Sequence, residues 1–150
     1  MNFFNKNFFI DKTGKTVAYF PKKNTSLSFN NFFFKKLETH AKSDNKNIRI
    51  CCHQNKKEKL HSMFNLIFKK NGSYNFHKHI FKDEIYQIIS GSIEIEIFFK
   101  NKKKKIILDS NNKILRIRKN TFHKINSKSN ISIFHEIRLG PFLKNDSIMM

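Results

Sequence analysis

Apolar positions along this chain recur with period two far more often than with the period of a helix. Ser-Ile-Glu-Ile-Glu-Ile at 92–97 alternates strictly, as a strand with one buried and one wetted face must. From Ile48 onward the pattern stays strand-like. The runs Ser62–Lys69, Ser73–Ile80, Glu84–Ser90, Ser92–Phe99, Lys105–Asp109, Lys113–Arg118, Thr121–Asn126 and Asn130–Leu139 each predict a short strand. Earlier in the chain, Phe8–Ile10 and Thr16–Phe20 flank the turn-rich Asp11-Lys12-Thr13-Gly14-Lys15, which predicts a β-hairpin ended by Pro21. A single helix is predicted. Ser28 can cap it, and Phe29, Phe33, Leu37 and Ala41 recur every fourth residue on one stripe. Eight short strands separated by turns make the fold class all-β, with a jelly roll the leading architecture. The expected organisation is an N-terminal hairpin and helix over residues 1–47, a β-domain over 48–142 and a frayed tail over 143–150.

Composition changes this picture little. A chain of 150 residues can bury about 70% of the surface its unfolded form exposes, enough for one domain. The formal charge of +19 would suit a nucleic-acid binder. Yet lysine rises here together with phenylalanine (18 copies), isoleucine and asparagine, while Gly, Ala and Pro are scarce. Those enriched residues share A/T-rich codons, so genome composition explains the lysines, and a solvated basic surface is expected in preference to a nucleic-acid patch. Lys102–Lys105 is placed at a hairpin tip. Cys51 and Cys52 are adjacent and would face opposite ways on a strand, so no bridge between them is expected and reduced thiols suit a cytoplasmic protein. No apolar run is long enough to span a membrane, and Met1–Phe9 is too short and too interrupted for a signal peptide.

The chemistry concentrates in one stretch. His77 and His79 lie two residues apart, so on a strand they share a face. Glu84 follows after a turn and can add an anionic oxygen; Gly91 permits the next tight turn. His123, from a distant strand, can close the set on one ion at imidazole distances of about 2.0–2.2 Å. Glu84, Tyr86 and Ile88 share a face of their strand.

These residues resemble the first motif of the cupin superfamily, with His77, His79, Glu84 and Gly91 in the motif's places. Arg118-Lys119-Asn120-Thr121-Phe122-His123 resembles the second motif, with His123 as fourth ligand. Arg118 and Asn120 replace the motif's Pro and Gly, and asparagine is the best substitute where φ is positive. Further similarity, over roughly residues 27–142, is to the WbuC-type cupin metalloproteins. It is carried by Arg49-Ile-Cys-Cys-His53, Gly72-Ser73-Tyr74, Thr121-Phe122-His123 and Glu136-Ile-Arg-Leu-Gly140-Pro141-Phe142. The resemblance implies a double-stranded β-helix holding one divalent metal ion (Fe, Mn, Ni or Zn). It also implies a setting in bacterial surface polysaccharide (O-antigen) synthesis, with no established reaction. One departure stands out. Four residues separate Gly72 from His77 where the family has five, so either a bulge is lost or Tyr74 leaves the histidines' face.

The expected function is a cytoplasmic metal-binding cupin acting on a sugar or nucleotide sugar, with His77, His79, Glu84 and His123 as metal ligands. Arg49, His53, Tyr74, Tyr86, His135 and Glu136 are candidates for binding the substrate. His53 can equally bond locally. His135 can be a core or pocket-wall residue, and Glu136 can pair with Arg49 or Arg138. The planar fork of Arg49 suits an anionic sugar or a phosphate. His40 and His61 are expected at the surface. An Fe(II)-dependent dioxygenase and a non-catalytic sugar-binding or regulatory cupin remain alternative readings, and under each of them a homodimer stays open. A metal-free sugar isomerase would use a His-Asp acid/base pair instead of four ligands.

Overall fold

The computed structural model describes residues 3–150 apart from Lys15, Asn24 and Ser73. Lys15 of the expected hairpin turn and Ser73 of the expected strand start therefore lie outside the described residues. Two sheets carry the fold. In chain order the elements are helix α1 (Phe3–Asn7), strands β1 (Phe8–Asp11) and β2 (Val17–Pro21), helix α2 (Asn31–Asp44), and strands β3 (Ile48–Cys51) and β4 (Leu60–Phe68). Then come β5 (His77–His79), β6 (Glu84–Ser90), β7 (Ile93–Phe99), β8 (Lys102–Leu108), β9 (Ile114–Ile117), β10 (Phe122–Ser127), β11 (Ile131–Leu139) and β12 (Ser147–Met149). One sheet runs β1-β2-β3-β4-β11-β6-β9 and the other β12-β5-β10-β7-β8.

Every pairing is antiparallel except β2 with β3. A parallel pair needs a crossover, and α2 supplies it. The helix starts two residues later than expected. Asn30 takes the cap, its side chain accepting from the Phe33 N–H at 3.0 Å, because asparagine caps as well as serine. Phe33, Leu37 and Ala41 point inward as the spacing predicted. They pack on Ile48, Ile50, Phe64, Leu66 and Ile133 from the outer face of the seven-stranded sheet. The opposite face of that sheet meets the second sheet. There Ile67, Tyr86, Ile88, Ile117 and Phe134 pack on Ile93, Ile95, Leu108 and Ile125. β4 is thus covered on both faces, which is why Met63–Phe68 reads as a nearly unbroken apolar run with only Asn65 interrupting it.

Two expectations need correction. Lys102–Lys105 is not a hairpin tip but the start of β8, an edge strand on which lysines block sheet-to-sheet association. The tip is Lys100-Asn101, both at positive φ, in the two-residue turn that suits hairpin twist. The tail does not fray. Ser147–Met149 pairs with β5 and places Met149 opposite His77. Gly91 adopts φ +73, and a Cβ there would lie 2.6 Å from the Ile131 carbonyl oxygen.

Candidate metal centre

Strand β5 presents His77 and His79, and His77 is paired in register with His123 of β10. These three imidazoles come from the five-stranded sheet. Glu84 and Tyr86 of β6, with Glu136 and Arg138 of β11, come from the other sheet and are paired Glu84 with Arg138 and Tyr86 with Glu136. The centre therefore lies between the sheets. Asn120 sits at φ 62, the left-handed conformation expected of the residue replacing glycine, and its N–H donates to the His79 carbonyl at 2.7 Å.

Each imidazole is tied through Nδ1 to an acceptor. His77 meets the Asn75 carbonyl at 3.0 Å, His123 the Thr121 carbonyl at 2.9 Å and His79 the Asp146 carboxylate at 3.1 Å. A carbonyl can only accept, so Nδ1 carries the proton and Nε2 is the nitrogen left for the centre. Outer-shell partners of this kind fix the tautomer of metal-binding histidines. Ligand atoms of His77, His79 and Glu84 all fall within 4.8 Å of one another. Glu84 Oε1 lies 3.1 Å from His79 Nε2, and Oε2 lies 3.0 Å from His123 Nε2. Two ligand atoms at right angles around an ion, each about 2.1 Å from it, stand about 3.0 Å apart, so the donor set fits a divalent ion.

The charges agree with this. Burial alone would raise the Glu84 carboxyl, but its contacts with His123 and His79 hold it well below the usual carboxylate range. Burial disfavours a charge on His123, yet the Glu84 contact wins and raises its affinity for a proton. Both His123 nitrogens thus face acceptors, and the extra proton stands where a metal cation would share Glu84. Burial and neighbouring His123 push His77 the other way, toward the neutral ring a metal needs. Arg138 adds a fixed cation: its guanidinium is 3.2 Å from Glu84, 3.3 Å from Glu136 and 3.1 Å from His79 Nε2. The Tyr86 hydroxyl is 3.3 Å from His123 Nε2, and burial, then the Glu84 charge, raises it well above its ordinary value.

Six of the ten sequence candidates meet here: His77, His79, Glu84, His123, Tyr86 and Glu136. Glu136 pairs with Arg138 directly and reaches Arg49 only through Asn65, which donates to Glu136 at 3.1 Å and accepts from Arg49 at 2.9 Å. The remaining four lie elsewhere. Arg49 and His53 line a separate cavity beside Arg138. Tyr74 precedes β5, packs its ring toward the inter-sheet core and lines a groove with Asn45 and Asn47, away from the centre. His135 faces the outer layer, stacked on Phe64 at 4.4 Å and 2.7 Å from the Ser62 hydroxyl, because residues of β11 alternate and Glu136 takes the inner face. His61 is buried against His53, and His40 is half-buried with its Nε2 2.7 Å from the Tyr19 hydroxyl; neither is the surface residue expected.

Asp146 went unforeseen. It is buried, accepts from the Phe81 N–H at 2.8 Å and lies 3.7 Å from Lys82 Nζ. No local pattern marks an aspartate in a polar tail. Asn65 did leave a sign, as the one polar residue inside the apolar run Met63–Phe68.

No protein-family profile matches the chain, and no curated protein matches it. Solved structures match at the level of fold. CapF from Staphylococcus aureus, described as a capsular polysaccharide assembling protein, gives a TM-score of 0.55 at 16% identity over 63% of this chain and 29% of its own. Oxalate decarboxylase from Lactobacillus farciminis gives 0.52 at 16%, over 62% of this chain and 27% of its own. QdtA, a sugar 3,4-ketoisomerase from Thermoanaerobacterium thermosaccharolyticum in complex with TDP, gives 0.53 at 15%, over 58% and 64%. These are cupin-fold proteins, and this chain has the all-β cupin jelly roll. It spans less than a third of the first two and less than two thirds of the last. Among the described residues no helix is long and apolar enough to cross a membrane.

Proposed function

We propose that this protein is a WbuC-type metal-binding cupin that acts on a sugar or nucleotide sugar in bacterial surface polysaccharide synthesis. The observation that carries the metal is the common anchoring of three imidazoles by Nδ1, with Glu84 among their Nε2 atoms. His77, His79, Glu84 and His123 would hold one divalent ion. Such an ion supplies Lewis acidity toward a substrate carbonyl or hydroxyl oxygen. The chain's own groups prepare the place: Asp146 orients His79, and Arg138 fixes the Glu84 carboxylate. Tyr86, kept protonated, is a hydrogen-bond donor beside His123. The sugar assignment is supported by the fold shared with CapF and QdtA, whose descriptions concern capsular polysaccharide and a sugar ketoisomerase.

The His79–Asp146 contact favours one second reading, a metal-free acid/base couple acting on the same class of substrate. Elemental analysis of the purified full chain separates the two. Near-stoichiometric metal in the wild type, falling at least tenfold in His77→Ala and His123→Ala, is expected. Equal metal in all three, or none in any, would refute the metal assignment.

A further inference from the structure

Behind the metal centre, on the far side of Arg138, lies a second cavity of about 240 Å³. The β1–β2 hairpin, β3, the start of β4 and the chain around Phe142 enclose it. Arg49, Lys56 and Arg138 line it, and among the described residues Asp11 is its one acidic wall residue. Asp11 is engaged by Thr13, whose N–H and hydroxyl donate to it at 2.9 and 2.6 Å. Arg138 already has Glu84 and Glu136. Arg49 differs: its Nε donates to Asn65, and among the described residues no carboxylate lies within ion-pair distance of it. A half-buried guanidinium without a counter-charge is a strong site for an oxyanion, because its fork donates two parallel hydrogen bonds.

The rest of the wall is built to match. His53 and His61 are buried and stacked face to face, centroids 4.3 Å apart and planes 6° from parallel. His61 lines the cavity too, and its Nε2 is buried with no hydrogen-bond partner among the described residues. Burial is the main push of both rings toward the neutral form, His61 to about 4, and the Arg138 charge adds to it in each. His53 Nδ1 already meets the Ser62 carbonyl at 3.1 Å, which leaves its Nε2 for a ligand hydroxyl, while Arg49 and Lys56 supply the charge. The size is selective as well. Pockets for drug-sized ligands run about 300–1,000 Å³, so this one suits a single small anionic group better than a whole nucleotide.

We infer that this cavity is an oxyanion-binding subsite in which Arg49 grips the phosphate or carboxylate of a small sugar-like ligand. The inference deepens the proposed function, and rests on it for the sugar; the anion site itself does not need the metal. A hydrogen-bonded chain joins the two places, from Arg49 through Asn65 and Glu136 to Arg138 and Glu84.

Calorimetric titration of the full chain with orthophosphate, a hexose 1-phosphate, a hexuronate and a neutral hexose tests it. The anionic probes should bind and the neutral hexose should bind at least tenfold more weakly; whichever sugar anion binds tighter names the group. Arg49→Gln should weaken anion binding roughly ten- to hundredfold with unchanged metal content. Lys56→Ala, at an exposed rim position that leaves the core untouched, should weaken it by a few fold. His77→Ala should lose metal and keep anion binding. Wild-type-like binding by Arg49→Gln, or no anion binding by the wild type, would overturn the inference. Loss of anion binding in His77→Ala would also overturn it, by moving the anion to the metal centre. Absence of metal from a wild type that binds anions would instead sink the metal reading alone.

Discussion

Replacing Asp146 by asparagine tests the centre at the one partner that comes from the end of the chain. In the wild type, Oδ1 accepts from the Phe81 N–H at 2.8 Å and Oδ2 faces His79 Nδ1 at 3.1 Å. Asparagine has almost the same shape but only one acceptor oxygen. The Phe81 N–H can only donate, so the amide oxygen stays with it and the amide NH2 turns toward His79. Nδ1 must then accept, which moves the ring proton to Nε2, the nitrogen a metal requires. Loss of such an outer partner costs about 10- to 100-fold in metal affinity, or about 1.4–2.7 kcal/mol. Losing the carboxylate also leaves buried Lys82 Nζ without the charge 3.7 Å away, so a small drop in melting temperature is expected as well. Competition of the full chain with a chromophoric chelator for Zn(II) or Mn(II) measures the affinity directly. An affinity within twofold of wild type, in a variant that still melts cooperatively, would refute the claim that Asp146 sets the His79 tautomer.

Two more predictions concern stability. His61 and His53 bind protons more weakly folded than unfolded, so between pH 6.5 and about 4 the unfolded chain carries more protons. Stability should therefore fall as pH drops through that window, and the urea midpoint of His61→Gln should decline less steeply; identical slopes would count against a buried neutral His61. Gly91→Ala should cost at least about 2 kcal/mol, since φ +73 strains any side chain and its Cβ would press on the Ile131 carbonyl at 2.6 Å. Denaturation of that variant with an unchanged midpoint would show that the turn adjusts freely.

Much of the fold was legible because it rests on period. The strict alternation at 92–97 became β7, with Ile93 and Ile95 in the core, and the four-residue stripe Phe33, Leu37 and Ala41 became the inner face of α2. The lysine run at 102–105 misled because charge reads as exposure, and an exposed edge strand satisfies that as well as a loop does. His135 misled for a related reason. Its position beside Ile133 and Ile137 did place it on an apolar face, but β11 is buried on both faces, and only packing tells which one meets the centre.

What the sequence determined by itself was the class of structure and the spacing of the candidate ligands. Local spacing dictates alternation, turn geometry at Gly91 and Asn120, and the shared face of His77 and His79, since all of these depend on neighbours a few residues apart. Tertiary structure decided which distant groups meet. It brought Glu84 from one sheet against imidazoles of the other, put Arg138 between the candidate centre and the Arg49 cavity, and carried Asp146 from the tail to His79. Those contacts arise from closing two sheets over a common core and pairing β12 with β5, and long-range pairing of that kind leaves no periodic trace along the chain.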